Sequence, residues 1–134
     1  MSEWNDSVIS EFRANQGRVG GRFEGAPILL LHSIGAKSRH ERVNPMMYQA
    51  VGDGFAVFAS KGGADTNPDW YHNLRAHPDA RIEVGTETLD VTARVLEPEE
   101  RQPIWDEQKA RYPGFGDYET RTDRVIPVVL LERR

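Results

Sequence analysis

A chain of 134 residues with 17 basic and 21 acidic side chains, a net charge of −4 and no cysteine is long enough for one hydrophobic core. The missing cysteines exclude disulfides and thiolate metal sites, and the negative balance argues against general nucleic-acid binding, which depends on neutralising phosphates. No apolar run approaches the roughly 20 residues that a bilayer crossing demands, and Met1-Ser2-Glu3-Trp4-Asn5-Asp6 lacks the basic and apolar regions of a secretory leader, so a cytoplasmic protein without stable membrane insertion is expected.

Trp4, Val8, Ile9 and Phe12 recur at helical spacing and predict an amphipathic helix over residues 3–14. Gly17, Gly20, Gly21 and Gly25 then interrupt regular structure until Pro27. Ile28 to Ile34 reads as a buried strand, followed by a loop opening at Gly35. Val43 to Val51 predicts a second strand, placed at an edge or bulge by Pro45, which has no N–H to give to a ladder. Asp53-Gly54 signals a hairpin, and Phe55 to Ser60 returns as the third strand.

A helix over residues 68–77 opens at Asn67-Pro68, since Asn favours the N-cap and Pro the first helical position. His77-Pro78 ends it, because the residue before proline avoids the α region. Arg81 to Val84 and Thr88 to Leu96 flank Gly85-Thr86-Glu87 as another hairpin. Pro98 to about Lys109 predicts a helix, with Glu99 and Glu100 in the first turn where the dipole favours them. Residues 111–123 form an aromatic loop or short helix, and Val125 to Glu132 a closing strand. Six or seven hairpin-linked strands without βαβ alternation indicate a mainly β chain with helices (α+β), built as a small antiparallel β-barrel. The whole of 1–134 reads as one domain, to which the helix of 1–16 and the Gly-rich lead-in of 17–26 belong.

Charge is uneven along the chain. Lys37, Ser38, Arg39, His40, Glu41 and Arg42 set three cations against one carboxylate, whereas residues 97–124 carry eight carboxylates against five cations. A small basic patch on an acidic protein suits one anionic ligand; a solvated hairpin tip is the plain structural alternative. Ser60-Lys61-Gly62-Gly63 joins an apolar strand to a helix start, where glycines admit a ligand close to the backbone, although strand, turn and capped helix is also ordinary connection chemistry. Tyr112, Phe115 and Tyr118 lie within seven residues and serve equally well as a cover for a planar ligand or as core. His32, His40, His72 and His77 have no metal-ligand spacing, so no metal site is expected.

Taken together, Phe12-Arg13-Ala14-Asn15 with Gly17 and Val19-Gly20-Gly21, Gly35-Ala36-Lys37-Ser38 to Arg42, Ser60 to Gly63 with Asn73-Leu74, and Tyr112-Pro113-Gly114-Phe115 through Ile126-Pro127 resemble the deazaflavin (F420)-dependent nitroreductase family. Its members are small actinobacterial split β-barrel proteins, and the likeness runs from about residue 8 to the C-terminus in the same order. The resemblance implies an antiparallel split barrel of the FMN-binding type that binds coenzyme F420 and transfers a hydride to an activated C=C bond, a quinone or a nitro group. It implies that Lys37 and Arg42, with Ser38 and Arg39 in the same loop, meet the cofactor phosphate and anionic tail. Ala59, Ser60, Lys61, Gly62 and Gly63 would border the deazaflavin ring, with Met47, Asp69 and Trp70 alongside.

Tyr112, Phe115 and Tyr118 match the substrate-side aromatics of the family. Ser60, Tyr112 and Tyr118 are the expected catalytic groups, Ser60 through a hydrogen bond and a tyrosine or water as proton donor. Phe115 and Met47 stand where relatives that reduce nitroimidazoles carry tyrosine, and Asp69 replaces an apolar residue, which turns the expectation towards C=C and quinone acceptors. Two further readings remain open: an FMN-binding split barrel, and a non-catalytic binder of fatty acids or other apolar carboxylates. The expected partner is a small planar oxidant, the expected state a monomer or weak homodimer.

Overall fold

A computed structural model describes residues 3–20, 26–61 and 66–134. Among the described residues the strands are β1 (Ile28–Ile34), β2 (Glu41–Val51), β3 (Gly54–Phe58), β4 (Asp79–Val84), β5 (Glu87–Val95) and β6 (Val128–Arg133). The helices are α1 (Glu3–Ala14), α2 (Asp69–Ala76), α3 (Pro98–Arg111) and α4 (Gly114–Thr120). All strand pairs are antiparallel, and the order β1-β2-β3-β6-β5-β4 closes into a barrel through the β1–β4 pair. Closure leaves no long free edge, which a sheet this apolar would otherwise expose to aggregation.

Sequence pattern follows what covers each strand. Leu29, Leu31, Phe55, Val57, Ile82, Val91, Val129 and Leu131 fill the barrel interior. The outer faces of β1, β3 and β6 are also buried, so these strands read as continuous apolar runs rather than alternating ones. Val8, Ile9 and Phe12 of α1 cover Ile28 and Leu30; Trp105 of α3 and Phe115 of α4 cover Ala56, Phe58, Val128 and Leu130. In β4, by contrast, Ala80 and Ile82 are buried while Asp79 and Arg81 between them face solvent. Trp70, Tyr71 and Leu74 of α2 join the interior cluster and plug the barrel. Each such large side chain contributes about 1.5–3 kcal/mol by leaving water. The side chain of Trp4 lies outside the described residues.

Several boundaries differ from the sequence expectation. The β2–β3 turn is Gly52-Asp53, not Asp53-Gly54: Val51 pairs with Gly54, and Gly52 takes the positive φ of 57°. The helix α2 begins at Asp69, with Pro68 at its N-cap and no side-chain cap, because the Asn67 amide is engaged by Arg124 instead. The closing strand starts at Val128 rather than Val125, which is 73% exposed and precedes Pro127. Residues 114–120 are a short helix.

Pro45 behaves as its chemistry requires. The Tyr48 N–H donates to the Pro27 carbonyl, so even-numbered residues of β2 turn their backbone groups towards β1 and Pro45 turns away from it. The β2–β3 pairing begins only at Tyr48 opposite Val57, so Pro45 faces the side where β3 has already ended. Along its first half β2 has no ladder partner on that side among the described residues.

Candidate functional site

Arg42 and Asn44 of β2 form one wall of a groove of about 930 Å³, lined also by Gly35, Ala36, Lys37, Ser38, Lys61, Pro68, Asp69, Trp70, His72 and Asn73. Three elements meet there: the 35–40 turn between β1 and β2, the segment after β3, and the first two turns of α2.

The turn is tightly built. The Gly35 N–H donates to the His40 carbonyl (2.8 Å), the Arg39 N–H to the Gly35 carbonyl (2.9 Å), and the His40 N–H to the Ser38 hydroxyl (3.2 Å). A Cβ on residue 35 would collide with Ser38 Oγ and push that hydroxyl off the His40 N–H. Arg39 takes a positive φ of 61°. The turn is fastened to α2 by Asn73, which is 7% exposed: its Oδ1 accepts the Ala36 N–H (2.9 Å) and its Nδ2 donates to Ser33 Oγ (3.4 Å).

Opposite the turn, the strand end is held by Arg124. The Ala59 N–H donates to the Pro127 carbonyl (3.0 Å). The Arg124 guanidinium donates to the carbonyls of Ala59 (3.1 Å) and Ser60 (2.9 Å) and to Asn67 Oδ1 (2.7 Å). Lys61 follows with a φ of 49°, a conformation that costs a residue with a Cβ roughly 1 kcal/mol or more, and its Nζ donates to Thr66 Oγ1 (3.2 Å).

The groove gathers three cations on one surface. Neither Lys37 nor Arg42 has a carboxylate partner among the described residues, and Lys61 has only the Thr66 hydroxyl. Trp70, 9% exposed, forms an aromatic wall beside them, and Asp69 is a carboxylate on the rim. Three cations lining one groove beside an indole, with no ion pair of their own among the described residues, suit an elongated anion that carries a flat ring.

The expected site residues divide into groups. Lys37, Ser38, Arg42, Lys61, Asp69 and Trp70 are gathered in the groove. Arg39 stands exposed in the same turn, and Ala59 and Ser60 lead into Lys61, Ala59 being wholly buried. Gly62 and Gly63 lie outside the described residues. Met47 is not gathered with the groove: it packs against the outer clusters under α1 and beside α3, because its side chain alternates with that of Met46, which touches the interior cluster.

Tyr112, Phe115 and Tyr118 form a separate aromatic cluster on the outer face of β3 and β6. The Phe115 ring lies 5.5 Å from that of Phe58, 6.1 Å from that of Trp105 and 5.3 Å from that of Tyr118, all edge-on, and Phe115 is 9% exposed. Tyr112 and Tyr118 are half-buried at its border. Among the described residues no cluster of histidines and carboxylates has metal-binding geometry.

Sequence reasoning assigned no role to Asn73 or Arg124. Asn73 left a readable signal: it shares the buried face of α2 with Trp70 and Leu74, three and one residues away, and a polar group on an apolar stripe must find partners. Arg124 lies in the family-like stretch Asp123-Arg124-x-Ile126-Pro127, but its role was not readable because its acceptors lie 57 to 65 positions away.

Residues 4–133 match the family described as F420H(2)-dependent quinone reductase. The chain belongs to this family. An F420H(2)-dependent quinone reductase of Mycobacterium tuberculosis is 42% identical over 129 residues, covering 92% of this chain and 85% of the relative. Among solved structures, an F420-H2-dependent reductase superposes with a TM-score of 0.72 at 42% identity, covering 79% of this chain and 94% of the other. A chain described as a domain-swapped dimer superposes with a TM-score of 0.74 at 39% identity, covering 95% and 93%. The protein is thus an F420-dependent oxidoreductase on an antiparallel split barrel, as the motif resemblance implied. None of the described helices is long and apolar enough to cross a membrane.

Proposed function

We propose that this oxidoreductase uses reduced F420 to reduce small planar acceptors, quinones and activated C=C compounds first and nitroaromatics less well. The observation that supports this reading is a groove walled by Trp70 and lined by Lys37, Arg42 and Lys61, none of them in an ion pair among the described residues. The donor set fits the cofactor: guanidinium and ammonium groups for phosphate and carboxylates, and an aromatic face with backbone for a ring.

Lys37 and Arg42, with Ser38 and Arg39 beside them, hold the phosphate and acidic tail. Ala59, Ser60 and Lys61 border the ring, as the family motif suggests for Gly62 and Gly63 too, with Trp70 and Asp69 closing the opposite side. Bound there, reduced F420 supplies a hydride. The Ser60 hydroxyl, half-exposed and without a partner among the described residues, can donate a hydrogen bond to a ring carbonyl, and Lys61 can offset negative charge developing nearby. Tyr112 and Tyr118 remain the proposed proton donors and, with Phe115, the proposed acceptor-side aromatics. Because these rings pack on the outer face of β3, the role requires the acceptor to approach over the end of that strand.

Titration of the purified protein with oxidised F420, alongside FMN, while following tryptophan fluorescence tests the reading. Saturable quenching by F420 alone supports it; quenching by FMN alone, or binding of a fatty acid with no response to F420, overturns it. Replacing Tyr112 and Tyr118 together by Phe is expected to slow steady-state quinone reduction about ten-fold or more while cofactor affinity stays unchanged. Unaltered turnover removes both from the mechanism.

A further inference from the structure

Beyond the residues that meet the cofactor, the geometry points to Arg124 as a positioning residue for hydride transfer. We propose that its guanidinium sets where the cofactor ring sits, acting through the Ala59–Lys61 backbone that it holds against the start of α2. The inference rests on the reading that this backbone borders the ring.

Three observations carry it. First, Arg124 bridges two segments that are otherwise linked, among the described residues, by the exposed Lys61 Nζ bond to Thr66 Oγ1 (3.2 Å). The carbonyls of Ala59 and Ser60 lie past the end of β3, and Asn67 immediately precedes the N-cap of α2. Second, the planar guanidinium reaches three acceptors at 2.7–3.1 Å, a fan that an ammonium point charge cannot reproduce. Third, the Ser60 carbonyl belongs to the same peptide plane as the Lys61 N–H, and Lys61 adopts the unfavourable positive φ of 49°. Fixing that plane is a direct way to hold Lys61 there, and such conformations persist only where the surroundings over-determine them.

The arrangement separates two tasks. Lys37 and the rest of the basic turn are fastened from the other side of the groove by Asn73, which shares none of these bonds with Arg124. The grip on the anionic tail and the placement of the ring can therefore be disturbed independently. A misplacement of about 1 Å at the reacting centre costs roughly a hundred-fold in rate without a matching loss of binding.

The test compares Arg124→Lys and Arg124→Ala with Asn73→Ala in the full chain. With reduced F420 saturating and a soluble naphthoquinone as acceptor, single-turnover hydride transfer is expected to fall about ten- to a hundred-fold in both Arg124 variants. The F420 dissociation constant is expected to change by less than about three-fold in these variants and to rise about ten-fold in Asn73→Ala. Added guanidinium ion is expected to restore part of the rate of Arg124→Ala.

Amide hydrogen exchange without cofactor gives a second readout. Ser60 and Lys61 are expected to exchange faster in both Arg124 variants while β1 and β4 keep wild-type protection. A wild-type transfer rate in Arg124→Lys, or unchanged exchange at Ser60 and Lys61, overturns the proposal. Should Arg124→Ala fail to fold, Arg124→Lys carries both measurements. If the unaltered protein fails to bind F420, the reading of the site falls, and the catalytic role with it. Binding by the unaltered protein with normal transfer in both variants removes Arg124 alone.

Discussion

The wall made by β4, β5 and β6 and the groove beside β2 treat charge in opposite ways. On the wall, Arg81 meets Asp90 at 3.3 Å, and Arg94 meets Glu132 at 3.2 Å and Glu100 at 2.8 Å. Arg134 lies 3.7 Å from Asp79. Pairs of this kind, solvated and long-chained, add little to stability; they keep a solvent-facing sheet soluble and discourage other ligands. In the groove, Lys37 and Arg42 have no carboxylate partner among the described residues, although Asp69 lies on the rim. The contrast is between Arg81, Arg94 and Arg134, answered by carboxylates within the chain, and two groove cations left available to an anion.

The largest effect is expected from taking the groove cations away. Lys37→Ala with Arg42→Ala should weaken F420 binding about a hundred-fold, since each charge-assisted contact contributes roughly 1.5–3 kcal/mol. Thermal stability should hold or rise as like charges separate. A fluorescence titration and a melting curve on the same sample check both halves, and unchanged affinity would dissolve the contrast altogether.

A smaller effect is expected at Glu83, where the two regions meet. Its carboxylate takes two bonds from Arg13, at 2.7 and 3.2 Å, tying the end of α1 to β4. It also lies 2.6 Å from His32 Nε2, while Glu41 approaches the other ring nitrogen at 3.3 Å. The Arg13 hydrogen bond, opposed by burial and helped by His32, holds Glu83 below the usual carboxylate range. A carboxylate depressed in the folded state stabilises above its unfolded value, and that stability is lost as pH falls through the folded one. Glu83→Gln should therefore cost about 1 kcal/mol at neutral pH and flatten the acid limb of the stability profile. Denaturant melts between pH 7 and 3 measure it; identical profiles for the two proteins would show that the cluster adds nothing. The least effect belongs to the wall itself: Arg81→Gln should shift stability by less than about 0.5 kcal/mol and leave F420 affinity alone. A larger change, read by the same titrations, would blur the line between the two regions.

Much of the fold was legible because local rules and tertiary demands agreed. Trp4, Val8, Ile9 and Phe12 marked residues 3–14 as a helix, and the observed span is Glu3–Ala14. The apolar runs of β1, β3 and β6 were recognisable, and so was the meaning of Pro45, since a missing donor is a local fact with one geometric answer. Legibility failed where a distant partner intervened. Asn67 has the chemistry of an N-cap, yet Arg124 claims its side-chain oxygen and the helix starts without it. The groove loop was legible from charge: Lys37 and Arg42 are in it. Motif likeness placed Met47 at the same site, whereas the alternation of β2 turns its side chain away from Met46 and under α1. For Tyr112, Phe115 and Tyr118 the sequence left core and cover evenly matched; Phe115 packs edge-on against Phe58 and Trp105 as part of the outer core, with Tyr118 edge-on to it and Tyr112 half-buried at the border.

Pro45 carries one more implication. At most barrel seams, free N–H groups invite another backbone, whether a peptide, a loop or a neighbouring copy, to add itself as a strand. Here one of the positions such a zipper would use has nothing to donate. An added strand would lose a rung of its ladder at Pro45, which makes this edge a poorer template than an unbroken one.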